Sequence, residues 1–90
     1  MSDTAPPPVD AARLMLLTRH DCGLCEEMQH ELAALRSGFR ALPPVQLVDV
    51  DADPALQRRW GMKVPVLLLD GALVCSARLD TPELLRLLRL

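Results

Sequence analysis

Arg19-His20-Asp21-Cys22-Gly23-Leu24-Cys25 joins two segments of different character. Before it, Arg13 to Thr18 is a short aliphatic run (Leu14, Met15, Leu16, Leu17) bounded by polar residues, and its length fits a buried strand better than a helix. After it, Leu24, Met28, Leu32 and Leu35 recur at helical spacing with charged residues between them. That pattern predicts a helix opening at Cys22 and ending near Ser37-Gly38, where the glycine suits a left-handed terminal conformation. Two cysteines three residues apart therefore fall at the junction of strand and helix.

Further along, Pro43-Pro44 forces a break, and Val45 to Val50 is rich in β-branched residues, with Val48 and Val50 expected on one face of a second strand. Asp53-Pro54 is a helix start, since Asp accepts from free amides and proline suits the first helical position. The short helix that follows places Leu56 and Trp60 on one face and stops at Gly61. Val64 to Leu69 reads as a third strand with Pro65 at its entrance, where a missing amide is tolerated. Asp70-Gly71 is a two-residue primed hairpin turn, which pairs that strand antiparallel with Ala72 to Ser76. Thr81-Pro82-Glu83 then opens a last helix with Leu84, Leu85, Leu87 and Leu88. The expected fold class is α/β, in the order β-α-β-α-β-β-α. Its first two strands pair in parallel, and its mixed four-stranded sheet is covered by helices on both faces.

Composition narrows the function classes. Ninety residues make one small domain, and with 50% hydrophobic and 24% charged residues the chain has enough apolar mass for a core. Residues 1–12, with Pro6-Pro7-Pro8, read as a flexible lead-in, leaving residues 13–90 as the domain. Trp60 and Phe39 are the only aromatics, so stacking platforms for nucleic acid are excluded. Charge is segregated: residues 13–53 hold four basic against seven acidic groups, and residues 54–90 six against three, with no basic stripe for a polyanion. The longest apolar stretch, Val64 to Leu69, is far short of the roughly 20 residues that span a bilayer, so no membrane association is expected. The acidic start, Met1-Ser2-Asp3, lacks the positive region of a secretory signal, which predicts a cytoplasmic protein, where disulfides are usually transient or catalytic. A monomer without a cofactor is expected.

The chemistry lies in Cys22 and Cys25. At a helix start their sulfurs come within disulfide range, and free amides with the helix dipole lower a thiol pKa. Cys22, nearer the loop, is the expected attacking thiolate. Cys25, on the apolar side with Met28, is the expected resolving thiol. Arg19 and His20 are expected to assist Cys22 electrostatically and Asp21 to oppose it. The competing reading is half a metal site, zinc or an iron–sulfur cluster, with His20, His30 and Cys75 as the other candidate ligands. His30, however, falls on a different helix face, and Cys75 alternates with Leu73 in a strand as a small hydrophobe would. Trp60 reads as packing, close in sequence to Lys63 and Pro65.

With Cys22-Gly23-Leu24-Cys25 in a β-α-β unit and Lys63-Val64-Pro65 at the mouth of a later strand, the chain resembles the thioredoxin-like superfamily, specifically small bacterial glutaredoxin-like proteins. The resemblance covers Arg13 to Leu90 and includes Asp51-Ala52-Asp53-Pro54 and Trp60-Gly61-Met62-Lys63-Val64-Pro65-Val66-Leu67. It implies a thiol–disulfide oxidoreductase acting on a protein or low-molecular-weight disulfide. It also implies a cis Val64–Pro65 bond that leaves the Val64 backbone free for substrate, Lys63 close to the cleft, and a basic residue at Arg19. The chain departs from glutaredoxins in two places. Gly23-Leu24 replaces the Pro-Tyr or Pro-Phe between the cysteines, and Cys75-Ser76-Ala77-Arg78-Leu79-Asp80 lacks the Gly-Gly pair before an Asp. Glutathione is thus a partner whose pocket is incomplete, with Asp80 or Thr81 left to bind it. A non-catalytic binding or adaptor module is the alternative within the same fold.

Overall fold

The computed structural model describes residues 13–90, so the lead-in expected over residues 1–12 lies outside the described residues. Alternation along β1 (Leu14–Thr18) organises the core into two layers. Leu14 and Leu16 pack with Met28, Leu32, Leu42, Leu67 and Leu84. Leu17 packs the other way, with Val50, Trp60, Val66 and Leu68. A strand apolar on both faces belongs inside a sheet, and β1 lies between β2 (Val45–Asp49) and β3 (Val66–Leu69), with β4 (Ala72–Ser76) beyond β3. The β1–β2 pair is parallel, and β1–β3 and β3–β4 are antiparallel. Through Met28, Leu32 and Leu84, α1 (Gly23–Gly38) and α3 (Thr81–Leu88) cover the first layer; through Trp60 and Leu56, α2 (Pro54–Trp60) covers the second. This is the mixed four-stranded, thioredoxin-like α/β architecture, with helices on both faces. Among the described residues no helix is long and apolar enough to cross a membrane.

Local chemistry sets the boundaries. Asp53 caps α2, its Oδ1 accepting from the Ala55 and Leu56 amides at 2.9 and 3.3 Å. Asp70 and Gly71 take positive φ of 51° and 86°, the backbone of the primed turn, and the Arg13 amide donates to Asp70 Oδ1 at 3.0 Å.

Several boundaries differ from expectation, each for a physical reason. The third strand begins at Val66, because Pro65 has no amide to donate and its carbonyl accepts from Ala77 at 2.8 Å instead. The second strand ends at Asp49, whose side chain accepts from the Asp51 amide at 2.9 Å and draws Val50–Ala52 into a 3-10 turn. Val50 still joins Val48 in the second core layer. Gly38 is helical rather than left-handed, and α1 closes through the Phe39 amide on the Leu35 carbonyl at 2.8 Å. The cap of α3 is Asp80, accepting from the Glu83 amide at 3.1 Å, with Thr81 already inside the helix.

The side chains whose placement differs most from expectation are Leu24 and Leu73, whereas Cys75 packs in a strand as a small hydrophobe. The buried stripe of α1 runs Cys25, Met28, Leu32, and the expected Leu24 flanks it, about 100° around the helix from Cys25 and 42% exposed. A bulge at Leu67/Leu68 breaks the alternation in β4, so Cys75 pairs with Leu67 toward the first layer while Leu73 pairs with Leu68 and remains exposed.

Replacing Leu16 with Ala should lower the unfolding free energy by about 3 kcal/mol. Replacing Leu47, its partner in register but 55% exposed, should cost less than about 1 kcal/mol. Denaturant unfolding of the two variants checks this, and equal losses would contradict the placement of β2 at the sheet edge. In the same assay Asp53→Ala should cost about 1 kcal/mol through loss of the α2 cap.

Candidate functional site

Strand register brings the site together. Leu17 of β1 pairs with Val48 of β2 and Val66 of β3, so β1 and β2 finish, and β3 starts, at one end of the sheet. The loop from Thr18 to Cys22 and the peptide Lys63-Val64-Pro65 therefore meet there. Ser76, opposite Val66, brings the chain leading to Asp80 to the same end. The first loop turns at Asp21, a non-glycine residue with φ of 54°, a conformation that short polar side chains tolerate best. Lys63 is exposed, Val64 half-buried and Pro65 buried. The Val64–Pro65 peptide is cis.

Cys22 is the N-cap of α1. Its backbone is extended, its carbonyl accepts the Glu26 amide at 3.1 Å, and its sulfur accepts the Cys25 amide at 3.1 Å. Cys22 and Cys25 form a disulfide, with their α-carbons 5.2 Å apart. The two sulfurs differ in access, Cys22 being partly exposed and Cys25 only 2%. An amide aimed at a cap sulfur, with the positive end of the helix dipole behind it, stabilises negative charge on Cys22 once the bond is reduced.

Arg19 is engaged elsewhere than expected. Its Nε and Nη2 donate to the two carboxylate oxygens of Asp51, both at 2.9 Å, and Gln57 Nε2 donates to Asp51 Oδ1 at 2.9 Å. The Arg19 hydrogen bonds hold the Asp51 carboxyl below its ordinary range, and Asp51 in turn raises the Arg19 guanidinium. The pair is thus ionised throughout the neutral range. What it adds to stability is present above the ordinary carboxylate pKa and is lost as pH falls through the depressed one. Gly61 lies against this pair: a Cβ there would come within 3.2 Å of Arg19 Nη2 and 2.5 Å of the Gln57 carbonyl oxygen. His20 is 89% exposed, with Nε2 3.7 Å from Asp49 Oδ2. The two basic residues before Cys22 therefore each face an acidic side chain, His20 the last residue of β2 and Arg19 a residue of the turn that follows it.

The remaining candidates lie apart. Cys75 is half-buried in the first core layer; burial pushes its thiol up, against the Asp80 backbone amide, so it stays protonated near neutrality. His30 is exposed on α1. Among the described residues no three His, Cys, Asp or Glu side chains are grouped as metal ligands. Trp60 is 8% exposed, packed with Val64 beneath the loop that carries Pro65, with Arg59 and Lys63 cations 4.9 and 5.8 Å from its ring centroid. Neither Asp51 nor Gln57 is a site candidate on sequence grounds, and Gly61 is legible there only as the end of a helix. The pairing of Asp51 follows from strand register: parallel β1 and β2 end together, Thr18 opposite Asp49, so a basic residue just past one strand faces an acidic residue just past the other.

Known proteins agree with this geometry. The family model described as "Glutaredoxin-like domain (DUF836)" matches residues 13–89. The chain is 38% identical over 63 residues to an uncharacterized protein of Mycobacterium bovis, and equally to two from strains of Mycobacterium tuberculosis. Those matches cover 62% of this chain and 61% of the relatives' own length. The solution NMR structure of protein Ne2328 from Nitrosomonas europaea superposes with a TM-score of 0.70 at 26% identity, covering 91% of this chain and 92% of that one. A glutaredoxin-like domain with a disulfide at CxxC spacing supports a redox-type function of the thioredoxin-like kind. With its sheet order, its helix-capping dithiol and a match over residues 13–89, the chain belongs to the glutaredoxin-like DUF836 family.

Proposed function

We propose that the protein is a thiol–disulfide oxidoreductase that exchanges protein or low-molecular-weight disulfides through Cys22 and Cys25. The observation that carries this reading is the asymmetry of the dithiol: one partly exposed sulfur at the helix cap, receiving a backbone amide, and one buried sulfur in the first turn. In the reduced protein the Cys22 thiolate attacks one sulfur of a substrate disulfide. A Cys22–substrate bond forms, the substrate S–S bond breaks, and the departing thiolate takes a proton. Cys25 then loses its proton and attacks the Cys22 sulfur, forming the internal disulfide and releasing the second substrate thiol. The substrate gains two electrons and two protons, the protein loses them, and an external thiol donor restores it.

The substrate chain lies beside Val64-Pro65 in this reading. Among the described residues no hydrogen bond is made to the Val64 backbone, so its amide and carbonyl are open to an extended chain. Lys63, exposed next to it, supplies a cation at the rim. Glutathione is one candidate thiol. Asp80 commits its carboxylate to the Glu83 amide, and the chain from Cys75 to Asp80 carries no glycine pair, so the reading favours a polypeptide disulfide over glutathione.

Cys22→Ser should reduce turnover of a model disulfide by at least about a hundredfold. Cys25→Ser should instead trap a mixed disulfide on Cys22, visible by mass spectrometry of the intact protein under non-reducing conditions. A Cys22→Ser protein turning over within a few-fold of the parent, or a parent inert with both glutathione and a thioredoxin-reductase system, would favour the binding-module alternative.

A further inference from the structure

The Arg19–Asp51 pair lies where the dithiol loop leaves the sheet, three residues before the reactive sulfur. Both Arg19 donors in the bond are 2.9 Å from separate oxygens of one carboxylate, a two-point fork that fixes the guanidinium plane as well as its position. The carboxylate is itself held by Gln57 Nε2 of α2, which donates to its Oδ1 at 2.9 Å, and the Asp51 backbone is held separately, its amide donating to Asp49 Oδ1 at 2.9 Å. Gly61 leaves room behind the guanidinium that any Cβ would crowd. Asp51 therefore stands at a junction of the dithiol loop, the turn after β2, and α2, which leads directly into Met62-Lys63-Val64-Pro65.

We propose that Asp51 is a positioning residue acting through Arg19: it holds the guanidinium in a neutralised fork and so sets the acidity of Cys22 in the reduced protein. This inference rests on the reading of Cys22 as the attacking thiol. Charged residues on the segments that meet at this end of the sheet include Arg19, His20 and Asp21 on the loop itself, Glu26 in the first turn of α1, Asp49 at the end of β2 and Asp51 just after it, Lys63 beside Val64, and Arg78 and Asp80 after β4. His20 and Asp49 are also set against each other. With the Arg19–Asp51 fork closed, the arginine contributes a dipole rather than a net charge to the Cys22 sulfur. Removing either member converts that dipole into a net charge, positive when Asp51 is neutralised and negative when Arg19 is.

The test follows the rate of iodoacetamide alkylation at Cys22 against pH in the reduced full-length chain, read by peptide mass spectrometry. Asp51→Asn should lower the Cys22 pKa by roughly half a unit, about a threefold faster reaction below it, and Arg19→Gln should raise it by a similar amount. The double variant should return to within about 0.2 unit of the parent, as should Arg19→Lys, which keeps the charge and loses the fork. A merely structural role would move both single variants in the same direction and leave Arg19→Lys as impaired as Arg19→Gln; that outcome, or no shift in either single variant, overturns the proposal. Should Asp51→Asn fail to fold, Asp51→Ser, which also removes the charge, takes its place, and a Cys22 pKa in it that is not lowered overturns the proposal. A parent pKa at or above the ordinary thiol value of about 8.5 would count against the oxidoreductase reading, while the signs of the shifts would still decide this one.

Discussion

The hydrogen bond from the Cys25 amide to the Cys22 sulfur is the interaction on which the rest of this structure turns. It makes a cysteine do what Ser or Asp does at an ordinary helix cap, so the group that satisfies the helix start is also the group that reacts. Capping ties the chemistry to α1: whatever holds the first turn of that helix in place also holds the donor aimed at the sulfur. Met28 and Leu32 pack one face of α1 against Leu14 and Leu16 of the central strand, and Cys25 is buried on the same face. The resolving sulfur is thus part of the hydrophobic stripe and is kept from solvent by the same packing that orients the helix.

The sheet supplies the second constraint. Because β1 is parallel to β2 and antiparallel to β3, the ends of the first two strands and the start of the third converge on one edge. Three loops from distant parts of the chain are thereby set side by side. Hydrogen bonds at this end then fix the loops further: the side chains of Arg19 and Gln57 on Asp51, and the backbone amide of Ala77 on the Pro65 carbonyl.

Much of this was legible in the sequence, and what was not has physical causes. The hairpin at Asp70-Gly71, the cap at Asp53 and the stop at Gly61 are set by local turn and cap chemistry, and they stand where local rules put them. The dithiol was legible for the same reason, since a two-residue gap at a strand–helix junction is a local pattern. Tertiary pairing was harder to see. The bulge that separates Cys75 from Leu73 depends on how β4 meets β3. The exposure of Leu24 follows from the inward position going to a cysteine, which ranks below leucine in any hydrophobic pattern. Arg19 was expected to act on Cys22, and its bond to a residue 32 positions away becomes visible only once the two parallel strands are known to end in register.

The central claim is that Cys22 and Cys25 are an exchanging pair and not a structural crosslink. Its most direct test is the reduction potential of their disulfide, obtained by equilibrating the full chain in graded thiol–disulfide buffers and quantifying the oxidised fraction by mass. A helix-capping thiolate stabilises the reduced form, so the value should fall within the range of enzymatic dithiols, from about −270 to about −120 mV. A potential below about −300 mV, where structural disulfides lie, would contradict the account.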